Sequence, residues 1–552
     1  MLAARCFRAG AAVLVAVGLT VSTATLPPAR AADAGPVELA VIVPIVAPPG
    51  TTGLIDGTLL EQYTAPDGQL TRELDAALGR PVTLAIDPMI LASIRVLGTA
   101  APASARAWLQ QLTAADNESF LLGYADVDLA LALQAGASPV PTPDTFDFAI
   151  DPTRFAAPTT ESPTPTPDPT ADPTLPTRDD LLAWDATFAQ LAWPRAGTVG
   201  AADLDALAAS GVETTLLSSG NVNRDPALGP SVTIGDRAVI VTDDTVSAAL
   251  SAATTTLTPE GLAAALPAVI SAIGSSGSVQ SGQAAIVASL DRAVALAGSN
   301  VAATLSALQA NPDVRLVPLS EAITGSTTGG AGLIEGASDP DRVATARTLL
   351  GAEAAERQFA TITADPALLT GPRRLALLAL LGVAWSDNTA GWATATQEFL
   401  TRSSDIRGAV QIVTTSPFTL LADSATLPIP VSNELDQAVT VYVTVRPETG
   451  QLAVTDPLVT LTIEPRSQAK AAIPVQAISN GAVQILMTLS GPGGVPVGQP
   501  AITEINVQAG WETPIVLALG ALVVLVFAGG LVRVALRRRR EAAEPGDALS
   551  DD

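Results

Sequence analysis

The sequence predicts a multidomain chain. It holds an α/β, (β/α)-barrel-like region, a helical block, an all-β immunoglobulin-like sandwich and one C-terminal transmembrane helix. Three observations carry this reading. Apolar runs of strand length alternate with helix-period segments from Val37 to about residue 325. Beyond residue 411 the apolar period changes from 3.6 to 2. From Ile515 to Val532 no side chain is charged, and Arg537 to Arg540 follow close behind.

Residues 1–31 read as a secretory signal. Arg5 and Arg8 precede the apolar run Ala11 to Val21, and Ala29-Arg30-Ala31 is an A-x-A cleavage site. The barrel-like region, 37–325, opens with Val37 to Val46 (VELAVIVPIV), a near-continuous apolar run suited to a buried parallel strand. Further strands are expected at Val82 to Ile86, Phe120 to Tyr124, Leu191 to Trp193, Thr214 to Leu217, Ala238 to Val241, Ala284 to Leu290 and Val314 to Val317. Helices are expected at Leu70 to Leu78, Ala103 to Ala115, Asp180 to Gln190, Ala201 to Ala209 and Thr245 to Ile273. That rhythm suits a (β/α) barrel, with a doubly wound open sheet as the alternative. Residues 156–177 interrupt it. They are dense in Pro and Thr and lack apolar periodicity, so they read as a disordered insertion.

Residues 341–405 are helical throughout, with Arg373 and Arg374 falling where cations are least favoured if a helix starts there. Residues 411–508 read as the sandwich. In Ala438 to Arg446, Val439, Val441, Val443 and Val445 point one way while Thr440, Tyr442 and Thr444 point the other. Residues 514–536 are long enough to cross a bilayer, which needs roughly 20 apolar helical residues. The arginines place residues 537–552 in the cytoplasm and everything earlier outside.

Composition narrows the chemistry. The formal net charge is -25, which repels nucleic acid and anionic lipid. There is no histidine, so no Ser-His-Asp triad, Cys-His pair or His-ligated zinc is available. Cys6, the single cysteine, sits in the signal segment, so no disulfide is expected after cleavage. No metal and no cofactor are expected.

Two sets of motifs resemble one family. LPIPVSNELDQAVTVYVTV and AKAAIPVQAISNGAVQILMTLSGPGGVPVG resemble the membrane-proximal domain of actinobacterial envelope proteins with a signal peptide and one membrane helix. LAIDPMIL, LLGYADVDLALALQAG, LAWPRAG and IVASLDR resemble that family's barrel-region motifs. The family has no established activity. Its genes often lie beside that of the lipid II flippase, which implies a link to cell-wall assembly. More distantly, the barrel region resembles polysaccharide-deacetylase and glycoside-hydrolase barrels, whose metal-binding histidines are missing here.

In barrels, function collects where strands end. That rim is expected to hold Asp87, Tyr124, Asp126, Asp128, Trp193, Asp243, Asp244, Asp291, Arg292 and Glu321. A glycan-binding role draws on Tyr124, Asp126, Trp193, Asp291 and Arg292, with the two aromatic rings as stacking platforms. A hydrolase role would pair Asp87 with Asp126, since two carboxylates roughly 5 to 9 Å apart suffice without metal. The structural alternative is that these aspartates cap helices, as Asp87-Pro88 suggests. The expected protein is therefore a non-catalytic envelope protein binding a cell-wall glycan or a membrane partner such as the flippase. The alternatives are a metal-independent glycan hydrolase and a structural spacer. Deleting 156–177 is expected to shift the thermal midpoint by only a few degrees, because loop shortening changes closure entropy by about 1 kcal/mol or less. A collapse of the midpoint in a melting experiment would show that the segment is packed.

Overall fold

The computed structural model describes residues 35–155, 175–256, 258–280, 285–292, 298–324, 329–413, 417–508 and 512–541. The expected signal segment 1–31, most of the Pro/Thr insertion and the tail beyond residue 541 lie outside the described residues. The α/β region contains strands β1 (Val37–Ile45), β2 (Thr83–Ile86), β3 (Ser119–Leu121), β4 (Leu191–Ala192), β5 (Thr214–Ser218), β6 (Val222–Asn223), β7 (Ser231–Ile234), β8 (Arg237–Thr242), β9 (Ala285–Ser289), β10 (Val314–Leu316) and β11 (Gly329–Leu333).

These strands build two half-barrel sheets. In the first, β1 pairs in parallel with β2, β9 and β10, and β2 pairs with β3. β1 is buried from Leu39 to Ile45, as a central parallel strand covered on both faces must be. In the second, β4, β5 and β8 run parallel. Single backbone bonds stitch the two edges: Phe188 N–H donates to Ser119 O at 3.1 Å, and Asp243 N–H to Val287 O at 2.8 Å. The inner faces share one core, with Ile42, Ala85, Phe120, Leu191, Leu216, Ile240 and Val287 each supplied by a different strand. One open doubly wound sheet therefore does not form.

Several sequence expectations shift. The third strand stops at Leu121, because the chain turns sharply between Gly123 and Asp126. The helix expected over Asp180 to Gln190 is only Arg178–Leu182, opened by a capping box between Thr177 and Asp180. The helix expected over Thr245 to Ile273 is two, Asp244–Thr254 and Pro259–Ser275; Thr258 caps the second, and Pro259 occupies its first turn. β6, β7 and β11 extend the second sheet and were not anticipated. Yet β7 and β8 are joined by Gly235-Asp236, with Gly235 at φ +61°, a two-residue hairpin turn legible in the sequence.

Three helices follow: Pro340–Ala360, Pro366–Leu380 and Thr389–Gly408. Leu349, Leu375, Leu378, Trp392 and Phe399 join the same core as the helices around the half-barrels. The middle helix starts at Pro366, seven residues before Arg373, so the arginines are not at its first turn. Arg373 forks onto the buried Glu356 carboxylate at 2.7 and 2.8 Å and lies 3.7 Å over the Phe399 ring. Arg374 donates to Thr142 O of the α/β region at 2.9 Å.

The C-terminal β region has strands β12 (Val410–Ile412), β13 (Phe418–Leu420), β14 (Ser424–Asn433), β15 (Val439–Pro447), β16 (Leu452–Val454), β17 (Leu458–Ile463), β18 (Ser467–Ala477), β19 (Gly481–Ser490) and β20 (Pro496–Val507). They form sheets of order β12-β14-β18-β16 and β13-β20-β19-β15-β17. Val439, Val441, Val443 and Val445 are buried, as their alternation requires, against Val431, Ile473 and Val475 of the other sheet. One apolar helix, Glu512–Glu541, ends the described chain, and every residue of its span Ile515–Arg540 is exposed.

Glu73, on the helix Gln69–Ala77, tests how tightly this core is sealed. Its Oε1 accepts from Gln69 Nε2 at 2.9 Å, while its buried Oε2 has no hydrogen-bond partner among the described residues. Burial pushes its carboxyl up to about 8, against weaker opposition from Gln69 and Arg72. The fold thus prefers the protonated acid. That stability is fully present below the ordinary carboxylate range and is lost as pH rises through about 8. In urea unfolding, Glu73→Gln is expected to match the parent near pH 5 and exceed it near pH 8.5, by on the order of a few kcal/mol. Equal stability curves at both pH values would refute a sealed carboxylate.

Candidate functional site

The site begins with the residue after β2. Asp87 N–H continues the ladder by donating to Ile45 O at 3.0 Å, so its side chain emerges at the strand end. The carboxylate is 1% exposed. Oδ1 accepts from Met89 N–H at 2.8 Å, capping the helix Pro88–Val96, and from Ala125 N–H at 2.9 Å. The turn it grips is unusual. Ala125 and Asp126 have φ of 57° and 46°, the left-handed region. Each such non-glycine residue costs on the order of 1–3 kcal/mol and persists only when its surroundings over-determine it. Here Asp87 holds one side, and Asp128 N–H donates to Leu381 O at 2.8 Å on the other. Gly382 lets that approach happen, since a Cβ there would stand 3.0 Å from Ala125 O.

The strained turn aims Asp126 at Arg292, which follows β9. Arg292 Nη1 donates to Asp126 Oδ1 at 2.6 Å, and Nη2 donates to Trp193 O at 2.6 Å. The guanidinium lies 4.4 Å from the Trp193 ring centroid, and Trp193 meets Phe120 edge-on at 6.3 Å. Both partners of the ion pair are buried. Asp126 Oδ2 has no hydrogen-bond partner among the described residues. Burial pushes the Asp126 carboxyl up to about 8; Arg292 opposes this, and Asp87 and Asp128 add to it. Burial likewise raises Asp87 to about 7 against its backbone donors.

The structure separates the expected rim residues. Asp87 and Asp126 do meet, lining one narrow cavity with Met89, Arg292 and Trp385. Asp128 and Asp243 cap the helices Leu129–Gln134 and Asp244–Thr254. Tyr124 is not a stacking platform: its ring is buried against Phe146 at 5.9 Å, and its hydroxyl donates to Gly53 O at 2.6 Å. Glu321 leaves the rim altogether, pairing with Arg315, which also reaches Glu38 at the start of β1. Trp193 offers less free ring than expected, because Arg292 covers one face.

Trp193, Asp291 and Arg292 border a separate open cleft of about 400 Å³. Its polar lining includes Arg195, Ser218, Thr242, Asp244, Ser247, Ser251, Ser289, Ser386 and Asp387, and Ala248 lies on its wall. Ser218, Thr242 and Ser289 are the last residues of β5, β8 and β9. This hydroxyl row escaped sequence reasoning, although a hydroxyl at successive strand ends is a readable signal once those ends are placed. Arg292 stands between the cleft and the enclosed acids and lines both. Among the described residues no cluster of three or more Asp, Glu, His or Cys could hold a metal ion.

The ion pair makes a measurable claim. Arg292→Met strands a buried carboxylate, which costs about 3–5 kcal/mol. The loss is expected to be small towards pH 5, where the carboxyl holds its proton with or without Arg292, and to grow as pH rises through about 8, where only the paired carboxyl ionises. Adding Asp126→Asn should recover part of it. Urea unfolding of the four species at both pH values checks this, and additive, pH-independent losses would contradict it.

Comparison with known proteins adds little chemistry. No curated protein matches the chain. Among solved structures, native alpha-2-macroglobulin from Escherichia coli is 24% identical, over 18% of this chain and 16% of that one, with a TM-score of 0.16. The chain thus spans less than a fifth of that structure. The alpha-amylase AmyC from Thermotoga maritima is 10% identical over 67% of this chain and 93% of its own, with a TM-score of 0.42. A 4-alpha-glucanotransferase from Thermococcus litoralis is 11% identical over 67% and 48%, with a TM-score of 0.34. Likeness this slight says nothing about activity. The family model is different in extent: it matches residues 8–547, nearly the whole sequence. The chain belongs to the family of unknown function DUF6049.

Proposed function

We propose that this is a membrane-anchored protein of the cell exterior whose α/β region binds a glycan in its open cleft without cleaving it. One observation carries the reading: the acids a hydrolase would need are locked into the fold, while the cleft beside them is open and rich in hydroxyls. Asp87 holds a helix and a turn, and Asp126 is buried against Arg292. The cleft sets Ser218, Thr242, Ser251, Ser289 and Ser386 among Asp244, Asp291, Asp387 and Arg195, a lining suited to a polyhydroxylated ligand. The helix Glu512–Glu541 is 30 residues long, about 45 Å at the α-helical rise, and supplies the anchor. Arg537 to Arg540 favour a cytoplasmic C-terminus. The two-sheet region would then serve as an immunoglobulin-like stalk. The family resemblance favours cell-wall assembly in actinobacteria as the setting, with a cell-wall glycan as ligand and the lipid II flippase as a membrane partner.

A metal-independent hydrolase is the second reading, favoured by the shared cavity and raised pKa values of Asp87 and Asp126. Calorimetric titration of the purified chain with muropeptides separates the two, combined with an assay for new reducing ends. Ala248 is exposed on the cleft wall, so Ala248→Trp fills the cleft without disturbing the core. It is expected to weaken muropeptide binding at least about tenfold, or 1.4 kcal/mol, with no reducing ends released by any species. Product release by the wild type that disappears in Asp126→Asn would replace binding with hydrolysis.

A further inference from the structure

Strand register identifies which end of the β region faces the terminal helix. Leu420 of β13 and Gly481 of β19 both stand opposite Val507, the last residue of β20. Gln508 N–H donates to Leu420 O at 2.8 Å. Ser424 opens β14 opposite Gln476, near the end of β18. The loop after Leu420 and the turn after Ala477 therefore share the end from which the chain leaves. Three residues, 509–511, separate Gln508 from the helix that starts at Glu512. A chain reaches at most about 3.6 Å per residue, so this end stands within about 15 Å of the helix start.

Two large apolar side chains project there. Leu421 is 71% exposed and Ile478 is 56% exposed. Ile478 N–H donates to Gln451 O at 2.8 Å, which fixes its turn beside the neighbouring loop. Two exposed acids stand at this end: Asp423, two residues after Leu421, whose carbonyl accepts from Ala477 N–H, and Glu448, three residues before Gln451. We propose that Leu421 and Ile478 are a membrane footing: they enter the headgroup–acyl boundary of the bilayer that the terminal helix crosses, and so hold the outer region at a set height and tilt. This rests on the reading that Glu512–Glu541 spans a bilayer. Two side chains bind lipid weakly on their own, but the helix tethers them at high effective concentration. The flanking carboxylates suit zwitterionic headgroups over anionic ones.

The test uses the full chain with Cys6→Ser, reconstituted in phosphatidylcholine vesicles. A polarity-sensitive fluorophore is placed singly at Leu421→Cys, Ile478→Cys, Gln468→Cys or Val524→Cys. Gln468 is exposed and stands opposite Ser432, towards the far end of β14 and β18. Val524 is mid-helix. The labels at 421 and 478 should be quenched by shallow spin-labelled lipid, with aqueous iodide quenching at least about threefold weaker than at 468. The label at 524 should resist iodide in every case. If 524 is protected while 421 and 478 are as open to iodide as 468, the footing is wrong and the anchor stands. If 524 is open as well, both the anchor and the footing fall. In vesicles rich in phosphatidylglycerol the protection at 421 and 478 should weaken; an unchanged value would remove the assigned role of Asp423 and Glu448.

Discussion

The α/β region depends on one buried carboxylate. Asp87 is tied by its own N–H to Ile45 of β1, and its Oδ1 receives Met89 N–H from the next helix and Ala125 N–H from the turn after β3. Three successive pieces of chain are thus registered through one residue. The bond to Ala125 helps to offset two consecutive left-handed residues. The turn in turn sets where Asp126 points, and with it the position of Arg292 and the wall of the open cleft.

Electrostatics ties this centre to the fold. Here burial drives Asp87 and Asp126 towards their neutral forms, and the guanidinium that keeps Asp126 tolerable is itself buried beneath Trp193. A buried pair of this kind adds little net stability compared with apolar packing, but losing one member is costly. The same logic recurs between the helices, where Glu356 is fully enclosed and Arg373 answers it with two hydrogen bonds and a ring contact. Arg374 and Arg357 then reach Thr142 and Asp144, so the helices and the α/β region are joined by polar contacts as well as by a shared core.

The β region solves a different problem. Its two sheets bury their own alternating faces and need nothing from the half-barrels to do so. Contact with the helices is local, as where Thr440 N–H donates to Ile362 O and Glu434 N–H to Ala409 O. It leaves through β20 directly into the apolar helix, with so short a connection that its lower end and the helix start move as neighbours.

Much of this was legible in the residues themselves. Periodicity alone located β1, the alternating valines of β15 and the uncharged run of the terminal helix, because each follows from local geometry and solvent preference. Asp87-Pro88 announced a capped helix for the same local reason. What the sequence could not carry was partnership over distance. Asp126 and Arg292 are 166 residues apart, and the distance between Tyr124 and the Gly53 carbonyl that takes its hydroxyl is equally invisible in one dimension. The rim aspartates read alike as caps, ligands or catalysts until their surroundings are known. Composition and period determined most of the elements, the absence of histidine chemistry and the apolar terminal helix. Tertiary structure alone decided which acids are sealed and which cleft stays open, because burial and pairing belong to contacts that the chain makes only after it folds.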